Sequence, residues 1–259
     1  MRAVRRRILF ICGSLNQTTQ MHQIAKELPE HEHSFTPFYL DGPLEWARRL
    51  GLLEFTVAGH KLARRCLDYL EAQQLPVDSR GARGGYDLVL SPSDLFLPRN
   101  TRQGRLLLIQ EGILDPEDWT FRLWRQLPFL PRWMAGTATS GLSLAYDRFC
   151  VASEGYRDHF VRSGIPPERI AVTGIPNFDD CERYRRNDFP HRGYVLVCTS
   201  DARETFKRHD RSRFLHECVE VAAGRPLLFK LHPNEKVQRA TREIRGVAPE
   251  ALVCARGSA

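Results

Sequence analysis

The sequence has no apolar run near the ~20 residues needed to cross a bilayer. Its basic start, MRAVRRR followed by ILFICG, turns polar at GSLNQTTQ before a signal-peptide core is reached. A spanning or secreted chain is therefore not expected; the opening run reads as a first strand, and the protein at most rests on a membrane. The seven cysteines include no CxxC pair and no metal-ligand spacing, and their odd number rules out complete disulfide pairing. A reduced cytoplasmic compartment without a bound metal is expected. GxGxxG and a Walker lysine are missing too, so neither an NAD nor an ATP site is indicated. No low-complexity stretch points to disorder.

What is present is an ordinary globular composition of 259 residues, 42% apolar and 27% charged, with a net charge of +7 and a pI near 9.2. That balance favours anionic partners such as nucleotide sugars, anionic lipid surfaces or nucleic acid. Outside Trp119 to Trp133 no basic stripe interleaves with stacking aromatics, so nucleic acid is not expected. Short apolar runs alternate with longer amphipathic stretches, the pattern of a parallel sheet covered on both faces. The fold class expected is α/β with two Rossmann-like domains, the second incomplete. Strands are expected at Ile8 to Cys12, Phe35 to Leu40, Tyr86 to Leu90, Leu106 to Ile109, Phe149 to Ala152 and Ile170 to Val172. Thr18 to Leu28, Leu44 to Gln74 and Glu154 to Arg162 read as helices or helix pairs between them. Residues 1–178 form the first domain in this reading, 179–192 a polar linker and 193–259 a partial second domain. The second series has three strands, and a doubly wound domain usually continues through another half, so the chain reads as cut at its C-terminal side.

Several turns carry groups suited to chemistry. The turn after the first strand offers Gly13, Ser14, Gln17 and Thr18 at a helix N-terminus, where amides and hydroxyls can hold an anion or a sugar hydroxyl; the plainer reading is a turn capped by Thr18. Gln110 and Glu111 follow the predicted strand Leu106 to Ile109, at the carboxyl edge where open α/β sheets present functional groups, and Glu111 is the candidate general base. Asp94 is the competing carboxylate. The segment Asp118 to Met134 holds three of the four tryptophans with Arg122, Arg125 and Arg132. It reads first as core packing or a dimer contact and second as a surface for a headgroup boundary or a lipid-linked acceptor.

In the second half, Thr199, Ser200, Arg203 and Lys207 follow the first strand, where amides and basic groups can meet a phosphate. The sharpest motif is Phe229-Lys-Leu-His-Pro-Asn-Glu235. Lys230 and His232 are two apart and share a strand face, Pro233 stops the strand at the crevice, and Asn234 and Glu235 open the next helix. His232 is thus a candidate donor to a phosphate or its sugar.

Two strings carry a family resemblance. "S-E, helix, G-I-P, I-A-V-T-G-I-P" within residues 147–179 resembles the end of the first domain in GT-B glycosyltransferases and the related UDP-N-acetylglucosamine 2-epimerases. "K-L-H-P-N-E" resembles GT-B enzymes that use CDP-glycerol, CMP-sialic acid or UDP-sugars, including polysialyltransferase-like and glycerophosphotransferase-like members. The resemblance implies an inverting, metal-independent transferase of envelope polysaccharide synthesis. Its substrates would be a nucleotide sugar or CDP-polyol and a glycan or lipid-linked acceptor, with no other cofactor and with oligomeric state left open. It further implies a donor site at Lys230, His232, Asn234, Glu235 and the loop Thr199 to Lys207, and an acceptor side near Gly13 and Glu111. A 2-epimerase, or a non-catalytic domain binding a nucleotide sugar or a partner, are the alternatives. The Ser/Thr-rich loop and Glu that usually follow in the family are not found before Ala259.

Overall fold

A computed structural model describes residues 4–54, 58–127, 129–186, 189–204 and 209–255. The chain divides into two compact units, Met1–Glu182 and Arg183–Ala259. The boundary falls within the polar segment 179–192.

The first unit is built on β1 (Arg7–Cys12), β2 (Glu32–Pro37), β3 (Leu88–Ser91), β4 (Arg105–Ile109), β5 (Arg148–Val151) and β6 (Ile170–Val172). They form one all-parallel sheet in the order β2-β1-β3-β4-β5-β6. The order reverses between β1 and β3, and in open α/β sheets that switch point is where the crevice at the carboxyl ends opens. The helices are α1 (Leu15–Lys26), α2 (Gly42–Arg49), α3 (His60–Ala72), α4 (Trp119–Gln126) and α5 (Glu154–Arg162).

Alternation along β1 shows why it is the central ridge. Ile8, Phe10 and Cys12 pack with Met21, Cys66 and Leu70 of α1 and α3, while Leu9 and Ile11 pack on the other face with Leu40, Val89, Leu106 and Phe149. Every residue from Ile8 to Cys12 is buried, as a strand covered on both faces must be. The structure departs from the sequence expectation at β2, which ends at Pro37, so that Phe38 to Leu40 are core residues of the following loop rather than strand. The stretch Leu44 to Gln74, expected as helices or a helix pair, holds two helices, α2 and α3.

The second unit holds a parallel sheet β7-β8-β9, formed by Val195–Cys198, Leu227–Lys230 and Leu252–Cys254. Helices α6 (Arg211–Ala222) and α7 (Val237–Val247) connect them. Phe229 of the central strand packs with Leu215 of α6 and with Ala240 and Ile244 of α7. Both units are α/β and Rossmann-like. Among the described residues no helix is long and apolar enough to cross a membrane.

Candidate functional site

Each unit puts one candidate group just beyond the carboxyl end of a strand. In the first, β4 ends at Ile109 and Glu111 follows, half-buried. Its carboxylate accepts from Ser14 Oγ and Asn16 Nδ2, both at 3.1 Å, and from Gln17 Nε2 at 2.5 Å. Those donors come from the turn after β1 and the first turn of α1, so Glu111 reaches across the switch point. Ser14 is the N-cap of α1 and forms a capping box with Gln17: its hydroxyl accepts from the Gln17 N–H at 3.2 Å while Gln17 Oε1 accepts from the Ser14 N–H at 2.9 Å. A negative charge is welcome there because the helix N-terminus carries partial positive charge. The protein supplies that charge itself, through Glu111. About one of the four acceptor positions of the carboxylate remains open.

This arrangement corrects four sequence expectations. Thr18 does not cap the helix; it is fully buried one turn in, donating to the Ser14 carbonyl at 2.8 Å. Ser14 and Gln17 are spent on the cap and on Glu111 rather than turned to a ligand. Gly13 serves the cap, since a Cβ there would meet Gln17 Oε1 at 1.8 Å. Gln110 is buried and braces two loops, donating to the Gly112 carbonyl and accepting from the Ala152 N–H, both at 2.9 Å.

Asp94 is likewise no free carboxylate. It is 1% exposed, pairs with Arg132 at 2.8 Å and accepts the amides of Gly141 and Ser143 at 2.9 and 3.0 Å. A buried charge needs such company. Asp94 therefore fastens the 141–143 loop, where Gly141 adopts φ +81° and a Cβ would run into Ile165 and Phe149.

In the second unit β8 ends at Lys230, which is half-buried, and the His-Pro-Asn-Glu turn follows. Glu235 is 6% exposed and sits beneath that turn, accepting from the Thr199 hydroxyl and, at 3.1 Å, from the His232 N–H. Arg211, also buried, lies 3.5 Å from Glu235 and 3.6 Å from Glu243. Thr199 and Glu235 thus support the turn rather than face a ligand, and α7 begins at Val237, not at Glu235. What the support leaves outward is the His232 ring, 37% exposed. Its Nδ1 lies 3.2 Å from the Asn234 N–H and 3.6 Å from Asp201 Oδ2, so the contacts within the turn fall on Nδ1. Asn234 also donates to Asp201 at 2.9 Å.

Arg203, expected as a phosphate ligand, is gripped by Glu243 through two hydrogen bonds of 2.7 and 2.9 Å. That contact raises its pKa and holds the Glu243 carboxyl below the ordinary carboxylate value. Ser200 is exposed next to Thr199. Lys207 lies outside the described residues.

No family model matches the chain, and no curated protein matches it by sequence. Solved structures similar to it include a UDP-N-acetylglucosamine 2-epimerase, 13% identical, covering 98% of this chain and 69% of that one with a TM-score of 0.48. The UDP-GlcNAc 2-epimerase of Neisseria meningitidis bound to UDP-GlcNAc is 12% identical over 98% of this chain and 73% of its own, with a TM-score of 0.49. Anabaena Alr3699/HepE in complex with UDP and glucose is 13% identical over 96% and 68%, with a TM-score of 0.48. The fold assignment rests on the chain's own two sheets.

Sequence reasoning missed Asn16, Asn177 and Arg211. Asn177 donates to the Asn16 carbonyl and Oδ1, at 3.1 and 2.6 Å, and so ties the Gly-Ile-Pro-Asn turn to the Glu111 cluster. Its place in that turn was the available signal. Arg211 carried none, because a basic residue opening a helix reads as solvated.

Proposed function

We propose that the chain is a nucleotide-sugar-using enzyme, and more narrowly a transferase moving a sugar or polyol phosphate from a nucleotide-activated donor to a glycan or lipid-linked acceptor. The supporting observation is the His-Pro-Asn-Glu turn of the second unit, where buried Thr199 and Glu235 hold the His232 backbone, Arg211 pairs with Glu235, and the His232 ring is left outward. An imidazole N–H at the carboxyl edge of a parallel sheet can bond a donor phosphate and stabilise charge developing on the leaving nucleotide. Asn234 lies beside it. Glu111 of the first unit is the proposed base for the acceptor hydroxyl. Its three protein donors fix its position, and the remaining acceptor site on Oε2 takes the proton.

Titration calorimetry with UDP, CDP and CMP tests the donor side. His232→Asn should weaken the preferred nucleotide about 30-fold, the ~2 kcal/mol of a hydrogen bond to a charged group. Glu111→Gln should leave that binding unchanged and slow transfer about 1000-fold. Absence of binding to all three nucleotides sinks the reading. Epimer formed from UDP-GlcNAc without acceptor moves it to a 2-epimerase.

A further inference from the structure

The first unit carries a cavity away from Glu111. It has a volume of about 580 Å³ and lies between α4 and the last turn of α5. Because α5 leaves the carboxyl end of β5 and runs back across the sheet, that turn lies at the amino-end edge, opposite the edge that carries Glu111. The volume is in the range of ligand sites.

Its chemistry is one-sided. Arg125, His159 and Arg162 line it together with Phe121 and Trp124, and the acidic member is the exposed Glu117. The side chains of Arg125 and Arg162, and of neighbouring Arg122, have no hydrogen bond or ion pair among the described residues. Asp118 is spent capping α4 through the Thr120 and Phe121 amides. The indole Nε1 of Trp124 is buried with no acceptor among the described residues. A buried donor without a partner is costly, so it calls for an acceptor from outside.

Helix α4 is apolar on both faces. Phe121 and Trp124 face inward, 6.0 Å apart, while Trp119, Leu123 and Leu127, spaced by four, form an outer stripe continued by Phe129. Trp119 is 62% exposed and Phe129 80%. Arg122 and Arg125 flank the stripe. Exposed tryptophan bodies with arginine heads suit the boundary between acyl chains and headgroups.

We propose that this edge of the first unit docks on an anionic lipid surface, with a lipid phosphate entering the cavity to Arg125, Arg162 and the Trp124 N–H while the outer stripe meets the acyl chains. The excess of unpaired arginine selects a phosphate headgroup, and the apolar stripe beside it selects a lipid over a free phosphate. The site stands apart from the nucleotide reading, and either can fail alone.

Sedimentation of the full chain with phosphatidylcholine vesicles, with and without phosphatidylglycerol, tests this. Binding should require phosphatidylglycerol, weaken with salt and shift tryptophan emission to the blue, since Trp119, Trp124 and Trp133 lie in the segment. Arg125→Gln and Arg162→Gln should each reduce it about fivefold, ~1 kcal/mol per basic residue. Leu123→Ser, at an exposed position, should reduce it with an unchanged melting temperature. Equal binding to both vesicle types, no binding, or variants that bind like the parent would overturn the proposal. So would a dimer that dissociates in Leu123→Ser and ignores vesicles, which would assign the stripe to a second copy of the chain.

Discussion

The two candidate turns each follow the carboxyl end of a parallel strand and use a glutamate in opposite ways. In the first unit Glu111 is the half-buried tip, and the turn after β1 closes on it with three side-chain donors. In the second unit Glu235 is the buried foundation, and the group left outward is His232. One carboxylate ends a network; the other begins one. The lesson is that a polar residue at a strand's carboxyl edge is not thereby a ligand contact, because the same edge must also satisfy helix N-termini and turn amides.

The comparison breaks most sharply at Glu235. Glu235→Ala removes the acceptor of the Thr199 hydroxyl and of the His232 N–H and leaves buried Arg211 with Glu243 alone. Breaking a buried ion pair in this way costs about 3–5 kcal/mol. All four tryptophans, Trp46, Trp119, Trp124 and Trp133, belong to the first unit. In urea, the tryptophan transition should therefore hold while circular dichroism gains an earlier phase from the second unit. Coincident, unshifted transitions would mean that Glu235 supports nothing.

Much of the architecture was legible because hydrophobic period decides it. β1, β4 and β5 are largely buried runs whose lengths and bounding Gly, Pro and Asp residues leave little choice. The His-Pro turn after β8 was legible for the same reason, a proline ending an apolar run. Side-chain allegiance was not. Asp94 reads as a competing carboxylate and Thr199 as part of a phosphate-meeting loop, and only three-dimensional neighbours, Arg132 and the 141–143 amides for one and Glu235 for the other, reveal them as supports. Those partners lie 36 to 49 positions away along the chain, beyond any local pattern. The capping box was within reach: Ser14 and Gln17 stand in the S-x-x-Q spacing, which outranks Thr18 as a cap.

Gly13 sharpens the comparison from the other side. Gly13→Ala forces Gln17 away from the Ser14 amide, because the new Cβ would overlap its Oε1. Loss of this reciprocal half of the capping box should cost about 1 kcal/mol. The cost should appear in the tryptophan transition of the first unit and leave the second unchanged. If Glu111 draws its position from this cap, transfer should fall with nucleotide binding intact. An unchanged tryptophan midpoint would show that the cap is dispensable.

The smallest expected effect concerns acid. The two Arg203 hydrogen bonds hold the Glu243 carboxyl below its ordinary 4.5, against the opposing pull of burial. A carboxylate depressed in the folded state stabilises it fully above the ordinary value, and that stabilisation disappears as pH falls through the lower, folded value. Glu243→Gln should therefore destabilise the second unit by about 1 kcal/mol near neutrality, the upper range for a part-exposed pair. The gap between the variant and the parent should close once the pH drops below the folded value, because both side chains are then uncharged. A gap that persists in acid would trace the effect to shape rather than charge, and the Arg203 grip would then say nothing about why this residue is withheld from phosphate.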